Sequence, residues 1–353
     1  MKLSSARTLS FAIPGDLDLP TGGYAYDRRV LSMLPDYGVL PTLVRLPGSF
    51  PHPNTADLAE TEQRLAALPS TVPLLIDGLA LGAIPRDLLG RLPQTILALV
   101  HHPLSLEAGL TAARASELKA SETAALACAR SVIVTSFATK RLLVSNFGVP
   151  TTKITVAEPG TDPAVRASGT GTPLQLLAVG TVSPRKGYEI LIEALAPLTH
   201  LDWRLTIAGA TDRDRDTLGR IEAAITAAKL HDRIRLAGTV VPATLSRYFD
   251  TADLFVMPSL FEGYGMALAE AMARGLPIVC TTGGAASDTV PDAAALKVPP
   301  GDVAAMTGAL DKALRDKRLR ARLADASWEM GRTLPPWTET TRRIAALIMG
   351  LAP

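Results

Sequence analysis

The residues Phe261-Glu262-Gly263-Tyr264-Gly265-Met266-Ala267-Leu268-Ala269-Glu270 set two carboxylates eight positions apart across a glycine turn that opens an apolar helix. Gly263 and Gly265 allow tight backbone conformations and close approach of a ligand. The helix beginning near Met266 and Ala267 offers unpaired N–H groups and a positive dipole end to an anion. That combination suits a phosphorylated sugar. A Glu pair at this spacing also has a plain reading, a solvated loop Glu and a helix-stabilising Glu, so the neighbouring sequence must decide.

Gly180-Thr181-Val182-Ser183-Pro184-Arg185-Lys186-Gly187 follows the apolar run Leu174–Val179 and enters a helical stretch. Arg185 and Lys186 therefore fall at a strand-to-helix turn, where the helix dipole is already positive. They need an anion, which a diphosphate would supply, or an exposed setting. Earlier, Pro20-Thr21-Gly22-Gly23-Tyr24 precedes an Ala/Leu/Arg helix. It reads as a backbone N–H cradle for phosphate or as a simple turn, with the spacing of neither a dinucleotide fingerprint nor a Walker motif. His101 and His102 end the run Thr95–Val100, so at least one imidazole stands at the carboxyl edge of its sheet. It could hydrogen-bond a sugar hydroxyl, and a pKa near neutrality would allow proton exchange; alternation sends the two rings to opposite faces.

No metal site is expected. The His pair lacks further ligands at the usual spacings. Asp212, Asp214 and Asp216 alternate with arginines and read as capping and dipole residues for a helix over Thr217–Lys229. No nucleophile elbow is present, and neither Cys128 nor Cys280 has a nucleophile's setting; both are expected to fill cores.

These residues need a scaffold of alternating strands and helices. Strands are predicted at Thr8–Ile13, Val39–Leu46, Val72–Ile76, Thr95–Val100, Ser131–Thr135 and Ile154–Val156, then at Leu174–Val179, Trp203–Ala208, Arg233–Ala237, Leu254–Met257, Pro277–Cys280 and Ala294–Val298. Alternation with helical segments implies right-handed crossovers and parallel sheets covered on both faces. The small-residue stretch Arg166–Pro173 reads as a linker. The expected architecture is α/β: two doubly wound, Rossmann-like domains facing a central cleft, over residues 1–168 and 169–335. Residues 336–353 form a last helix that could pack back on the first domain. Sheets of this kind bind ligands beyond the carboxyl ends of their strands.

The chain of 353 residues is 47% apolar with a net charge of +2, enough for two cores and without the basic bias of a nucleic-acid binder. No run reaches the ~20 apolar residues that span a bilayer, and the start lacks a signal peptide's apolar segment, so a cytoplasmic protein is expected. Two cysteines are too few for a disulfide framework.

In this order and spacing, the motifs resemble those of retaining glycosyltransferases of GT-B fold, most closely family 4, the glycosyl transferases group 1. The resemblance is strongest from Leu174 to Asp302. It includes Gly180–Gly187, Met257-Pro258-Ser259, the Glu262–Glu270 segment, Ala271–Val279, Gly283-Gly284 and Val298-Pro299-Pro300-Gly301-Asp302. It is weaker from Val132 to Asp162, and earlier rests on Gly22-Gly23 and His101. It implies transfer of a sugar from a nucleoside-diphosphate sugar with retained configuration, by same-face attack assisted by the leaving phosphate, with no cofactor or essential metal. Lys186 and Arg185 would bind the diphosphate, Glu262 would lie near the transferred sugar and His101 would touch it. Glu270 would hold the ribose hydroxyls. Gly22, Gly23, Gly180, Gly263, Tyr264, Gly265, Met266 and Ala267 would complete the donor site, with the base near Val240.

Thr181 stands where many relatives carry an arginine, leaving open whether Arg185 replaces it, and Asp288 stands where a Glu is common, free to cap a helix. The acceptor, a small molecule, lipid or glycan, is unspecified. Arg28 and Arg29 are candidates to meet an anionic acceptor or to make peripheral membrane contact, and the loop Pro47–Pro53 is a further candidate. A nucleotide-sugar epimerase of the same fold and a non-catalytic nucleotide-sugar-binding protein are the alternatives.

Overall fold

The structure is a computed structural model and describes residues 6–351. The chain divides into two compact units. The first comprises the residues up to Leu19, Gly23–Gly160 and the chain from Pro335 on. Its strands are β1 (Arg7–Pro14), β2 (Val39–Leu46), β3 (Leu74–Asp77), β4 (Ile96–Val100), β5 (Ser131–Val134) and β6 (Ile154–Val156). They pair in parallel in the order β2-β1-β3-β4-β5-β6. With them go α1 (Gly22–Met33), α2 (Thr55–Ala66), α3 (Gly78–Leu81), α4 (Arg86–Arg91), α5 (Ala112–Cys128), α6 (Phe137–Phe147) and, from the far end of the chain, α14 (Trp337–Met349). The runs Leu74–Asp77 and Ile96–Val100 are buried at every residue, the pattern of strands covered on both faces. β3 starts two residues later than the sequence suggests because Pro73 has no N–H to give the ladder; Leu74 N–H is the donor, to Thr95 O at 3.0 Å.

The second unit comprises Pro20–Gly22 and Thr161–Leu334. Its strands are β7 (Leu174–Val179), β8 (Trp203–Ala208), β9 (Ile234–Gly238), β10 (Leu254–Met257), β11 (Ile278–Thr281) and β12 (Ala295–Val298). Again all are parallel, in the order β12-β11-β10-β7-β8-β9. The helices are α7 (Tyr188–Leu195), α8 (Arg215–Ala227), α9 (Pro242–Thr251), α10 (Met266–Ala273), α11 (Ala286–Thr289), α12 (Val303–Arg315) and α13 (Lys317–Gly331). Asp214 caps α8, its carboxylate accepting from Thr217 N at 2.8 Å, the capping role read from the sequence. Cys280 is fully buried, whereas Cys128 is only half-buried against the first core.

Two sequence candidates for the acceptor side are placed here. Arg28 is tied to its own chain, donating to the carbonyls of Leu17 and Leu19, and the Arg29 guanidinium lies 5.5 Å from the Trp337 ring centroid. Both arginines thus make contacts within the first unit. In the loop Pro47–Pro53, Phe50 belongs to the core.

The segment after His101 and His102 is anchored from α5. Glu122, 1% exposed, accepts from Leu104 N at 3.0 Å, and among the described residues its other oxygen has no partner. Burial pushes this carboxyl up to about 8, against ~4.3 for an unfolded chain. The folded state therefore keeps a proton that the unfolded state has lost, and stability falls as pH rises from about 5 to about 8. Glu122→Gln keeps the acceptor and cannot ionise. It should match the wild type near pH 5 and exceed it by about 1–3 kcal/mol above pH 8 in denaturant unfolding; a difference independent of pH would contradict this.

Candidate active site

In the second unit, β7 and β10 are neighbours whose onward connections run to opposite sides of the sheet. This is the switch point at which an open α/β sheet forms a crevice. The chain leaving β7 turns through Pro184–Lys186, and the chain leaving β10 runs to Glu262. They meet there: Lys186 Nζ donates to Glu262 Oε1 at 2.6 Å, Ser259 Oγ donates to the same oxygen at 2.5 Å, and Arg185 Nη1 lies 3.6 Å from Oε2. Arg185 also donates to Phe261 O at 2.8 Å and accepts at its own carbonyl from Leu260 N at 2.7 Å. The Glu262 side chain is 7% exposed. Burial alone would raise its pKa, but the charges of Lys186 and Arg185 and the hydrogen bonds from Lys186 and Ser259 hold it at about 2. The two cations thus have their anion within the chain, and the reading of them as solvated loop charges falls.

Glu262 is also fixed through its backbone. Its N–H donates to Gly283 O at 3.2 Å and its carbonyl accepts from Ala285 N at 2.8 Å, in a parallel bridge with Gly284. Gly284 has φ +63°, and a Cβ there would fall 2.3 Å from Glu262 O, so the contact requires glycine. Beneath it, Ser259 is wholly buried and its carbonyl accepts from the Thr281 hydroxyl. A Cβ on Gly180 would come within 2.7 Å of Lys186 Cε; its absence gives the lysine stem its path, while Gly180 O accepts from Tyr188 OH at 3.0 Å.

Glu270 differs from Glu262 in every respect that matters for binding. It is half-buried on α10, and among the described residues its carboxylate has no hydrogen-bond partner. Burial raises its pKa, Arg274 opposes that rise and Asp162 adds to it. The ladder of α10 begins with Leu268 N donating to Gly265 O at 2.9 Å, so the amides of Met266 and Ala267 precede it. Gly265 caps this helix at φ +94°, next to half-buried Gly263. Tyr264 is buried, its carbonyl accepting from Thr289 Oγ1 at 2.6 Å. Val240 is half-buried between β9 and α9. Asp288 lies inside the one-turn α11, whose cap position is Ala285, so it is not the capping residue.

The first unit carries a second constellation. His101 follows β4, and its Nε2 lies 3.1 Å from Asp27 Oδ1 and 3.5 Å from Asp77 Oδ2. Gly23 abuts the ring; a Cβ there would approach Cδ2 to 3.3 Å and Nε2 to 3.5 Å. Around Gly22 such an atom would meet nothing within 4 Å. His102 goes elsewhere, its Nε2 lying 3.0 Å from Glu107 Oε2. Asp27 and Asp77 carry no role in the sequence reading, and Ser259 enters it only within the motif Met257-Pro258-Ser259. Asp77 had a signal, an acid closing an apolar strand at the carboxyl edge of a sheet, whereas Asp27 reads as one more polar residue of a helix. Among the described residues, Asp27, Asp77 and His101 are also the group close enough together to share a metal ion, a spacing that equally suits a shared proton.

Two such sheets, each with its switch-point constellation, define a GT-B fold. It superimposes on sucrose-phosphate synthase from Thermosynechococcus elongatus with a TM-score of 0.83 at 20% identity, over 97% of this chain and 98% of that one. It superimposes on the lipopolysaccharide glycosyltransferase WaaG at 0.76 and 18% identity, over 97% and 100%. Anabaena HepE in complex with UDP-glucose gives 0.73 and 18% identity, over 98% and 100%. Residues 165–330 match the model of the family described as Glycosyl transferases group 1. In sequence it is similar to mannosylfructose-phosphate synthase of Agrobacterium fabrum, 29% identical over 50% of this chain and 40% of the relative. It is similar also to D-inositol 3-phosphate glycosyltransferase of Pseudarthrobacter chlorophenolicus, 31% identical over 42% and 38%. The matches thus span about two fifths of these relatives. Among the described residues no helix is long and apolar enough to cross a membrane.

The depressed pKa of Glu262 has a measurable sign. Its contribution to stability is present above the unfolded value of ~4.3 and is lost as pH falls from about 5 toward 2. Glu262→Gln should cost roughly 3 kcal/mol at pH 7, and its melting temperature should fall less steeply than that of the wild type between pH 5 and 3. Parallel acid limbs in differential scanning calorimetry would refute the assignment.

Proposed function

We propose that the protein is a retaining glycosyltransferase that moves a sugar from a nucleoside-diphosphate sugar to an acceptor, by same-face attack assisted by the departing phosphate and without an essential metal. The observation that carries this reading is the contrast between the two glutamates. Glu262 is locked to Lys186, Arg185 and Ser259, whereas Glu270, eight residues on, keeps a half-buried carboxylate with no hydrogen-bond partner among the described residues. A free carboxylate at the rim of a switch-point crevice is suited to the two hydroxyls of a ribose. Lys186 and Arg185, already immobilised, supply fixed positive charge where a leaving diphosphate concentrates negative charge. Preorganised cations of this kind lower a barrier because they need no rearrangement as charge develops. The amides of Met266 and Ala267 add the positive end of α10. Arg185 takes the phosphate role that Thr181 cannot. These groups do for the leaving phosphate what a metal would otherwise do, which supports the metal-independent assignment. His101 is assigned to the transferred sugar. A nucleoside diphosphate as leaving group is further supported by Anabaena HepE, whose structures hold UDP and UDP-glucose.

The test is a thermal-shift screen against UDP, GDP, ADP and their sugar conjugates, with and without EDTA. One base should stabilise the wild type by about 2.7 kcal/mol when present at ~100 times its dissociation constant. Glu270→Ala should lose most of that shift, and EDTA should leave it intact. Proton NMR of the product formed with a found acceptor then reads the anomeric configuration. If no nucleotide binds, the donor assignment fails. If a donor is isomerised without an acceptor, the protein is an epimerase.

A further inference from the structure

His101 is surrounded more completely than a ring that merely touches a sugar requires. Both carboxylates converge on one nitrogen, Nε2, from different elements: Asp27 from α1 and Asp77 from the end of β3. Asp27 is fully buried, and among the described residues its Oδ2 has no partner. Asp77 is fixed in turn, its Oδ1 accepting from Leu79 N at 2.8 Å, so its Oδ2 remains for the histidine. The ring itself is gripped at its edges. Gly23 closes over Cδ2 and Nε2, and Tyr26 meets the ring edge-on with centroids 5.3 Å apart. Tyr26 is anchored by donating to Ala157 O at 2.9 Å, and the His101 carbonyl accepts from Thr135 Oγ1 at 3.2 Å. Among the described residues, Nδ1 has no partner.

The charge of the ring follows. A neutral imidazole with its proton on Nε2 would satisfy Asp27 and leave Nδ1 as a base. That arrangement leaves two carboxylates in a buried site where, among the described residues, the further cation acting on Asp27 is Arg28, which donates to the carbonyls of Leu17 and Leu19 and not to either carboxylate. Uncompensated buried charge is costly. An imidazolium offsets it, and then Nδ1 carries a proton too. Burial pushes the pKa of His101 down, but the charge and hydrogen bond of Asp27, with Asp77, raise it well above the ordinary value. Burial likewise raises that of Asp27, while His101 opposes it. The sequence expectation of a histidine poised near neutrality is therefore corrected.

We propose that Asp27 and Asp77 are positioning residues that hold His101 through Nε2, so that its Nδ1–H meets an oxygen of the sugar donor as a permanently charged hydrogen-bond donor and not as a proton acceptor. The assignment of the ligand rests on the function proposed above; the assignment of the ring's charge and orientation does not.

The experiment is nitrogen-15 NMR of the full chain with labelled histidine, the His101 signals being identified by their loss in His101→Gln. In the wild type both ring nitrogens should show imidazolium shifts up to pH 8. In Asp77→Asn and Asp27→Asn they should titrate near ~6.5, the value of an unperturbed ring. Should Asp27→Asn fail to fold, Asp77→Asn answers alone, since Asn retains the acceptor for Leu79 N. Transfer measured as kcat/KM should be flat between pH 6 and 8 in the wild type and fall at least tenfold over that interval in Asp77→Asn. A wild-type His101 that titrates near 6.5, or is neutral at pH 7, overturns the proposal. So does Mn²⁺ that broadens its signals and is required for turnover, because the triad would then hold a metal. Loss of nucleotide binding with the imidazolium signature intact would sink the functional reading and leave the ring's charge state standing.

Discussion

One buried carboxylate organises the second unit. Glu262 joins the turn after β7 to the turn after β10 by accepting from Lys186 and Ser259 and facing Arg185. Two cations at a strand-to-helix turn would repel each other and the helix end they adjoin; Glu262 supplies the opposing charge. The surrounding features serve that contact. Gly284 lets the chain after β11 lie against the Glu262 backbone, and Ser259 is held beneath it by Thr281. Breaking such a buried pair leaves charge without compensation, the costly case for ion pairs away from water.

The first unit repeats the logic with opposite sign. There the cation is singular and the carboxylates are paired, with His101 between Asp27 and Asp77. Both constellations lie at the carboxyl ends of parallel strands, the side of an open sheet where ligands bind. In both, a charge that could meet a ligand is held rigidly by a charge that does not need to. That division suits electrostatic catalysis, in which groups aimed at developing charge act through prior arrangement.

Much of this was legible in the sequence because parallel sheets write themselves as continuous apolar runs. All twelve strands lie where such runs predict them, within two residues at either end, and the shift at β3 traces to Pro73. The Glu262–Glu270 spacing and the Arg185-Lys186 turn stood out because glycines bracket them. The pairing of Glu262 with Lys186 did not, since nothing in a linear spacing of 76 residues states that two turns meet at a switch point. Asp27 was hidden for a related reason. It lies on a helix whose pattern marks Tyr26 and Val30 as core, and only the closed fold turns Asp27 inward beside them. Arg28 and Arg29 look like bare charges in sequence, and the fold gives each a contact within the first unit.

The most direct measurement of the central claim is a double-mutant cycle between Lys186→Met and Glu262→Gln, read as unfolding free energy at pH 7. If Glu262 is the anchor described here, the double variant should be more stable than the sum of the single losses implies, by at least about 1 kcal/mol, as contacting charges show. Additivity within about 0.3–0.5 kcal/mol, the behaviour of independent sites, would mean that the two turns are held by something other than this ion pair.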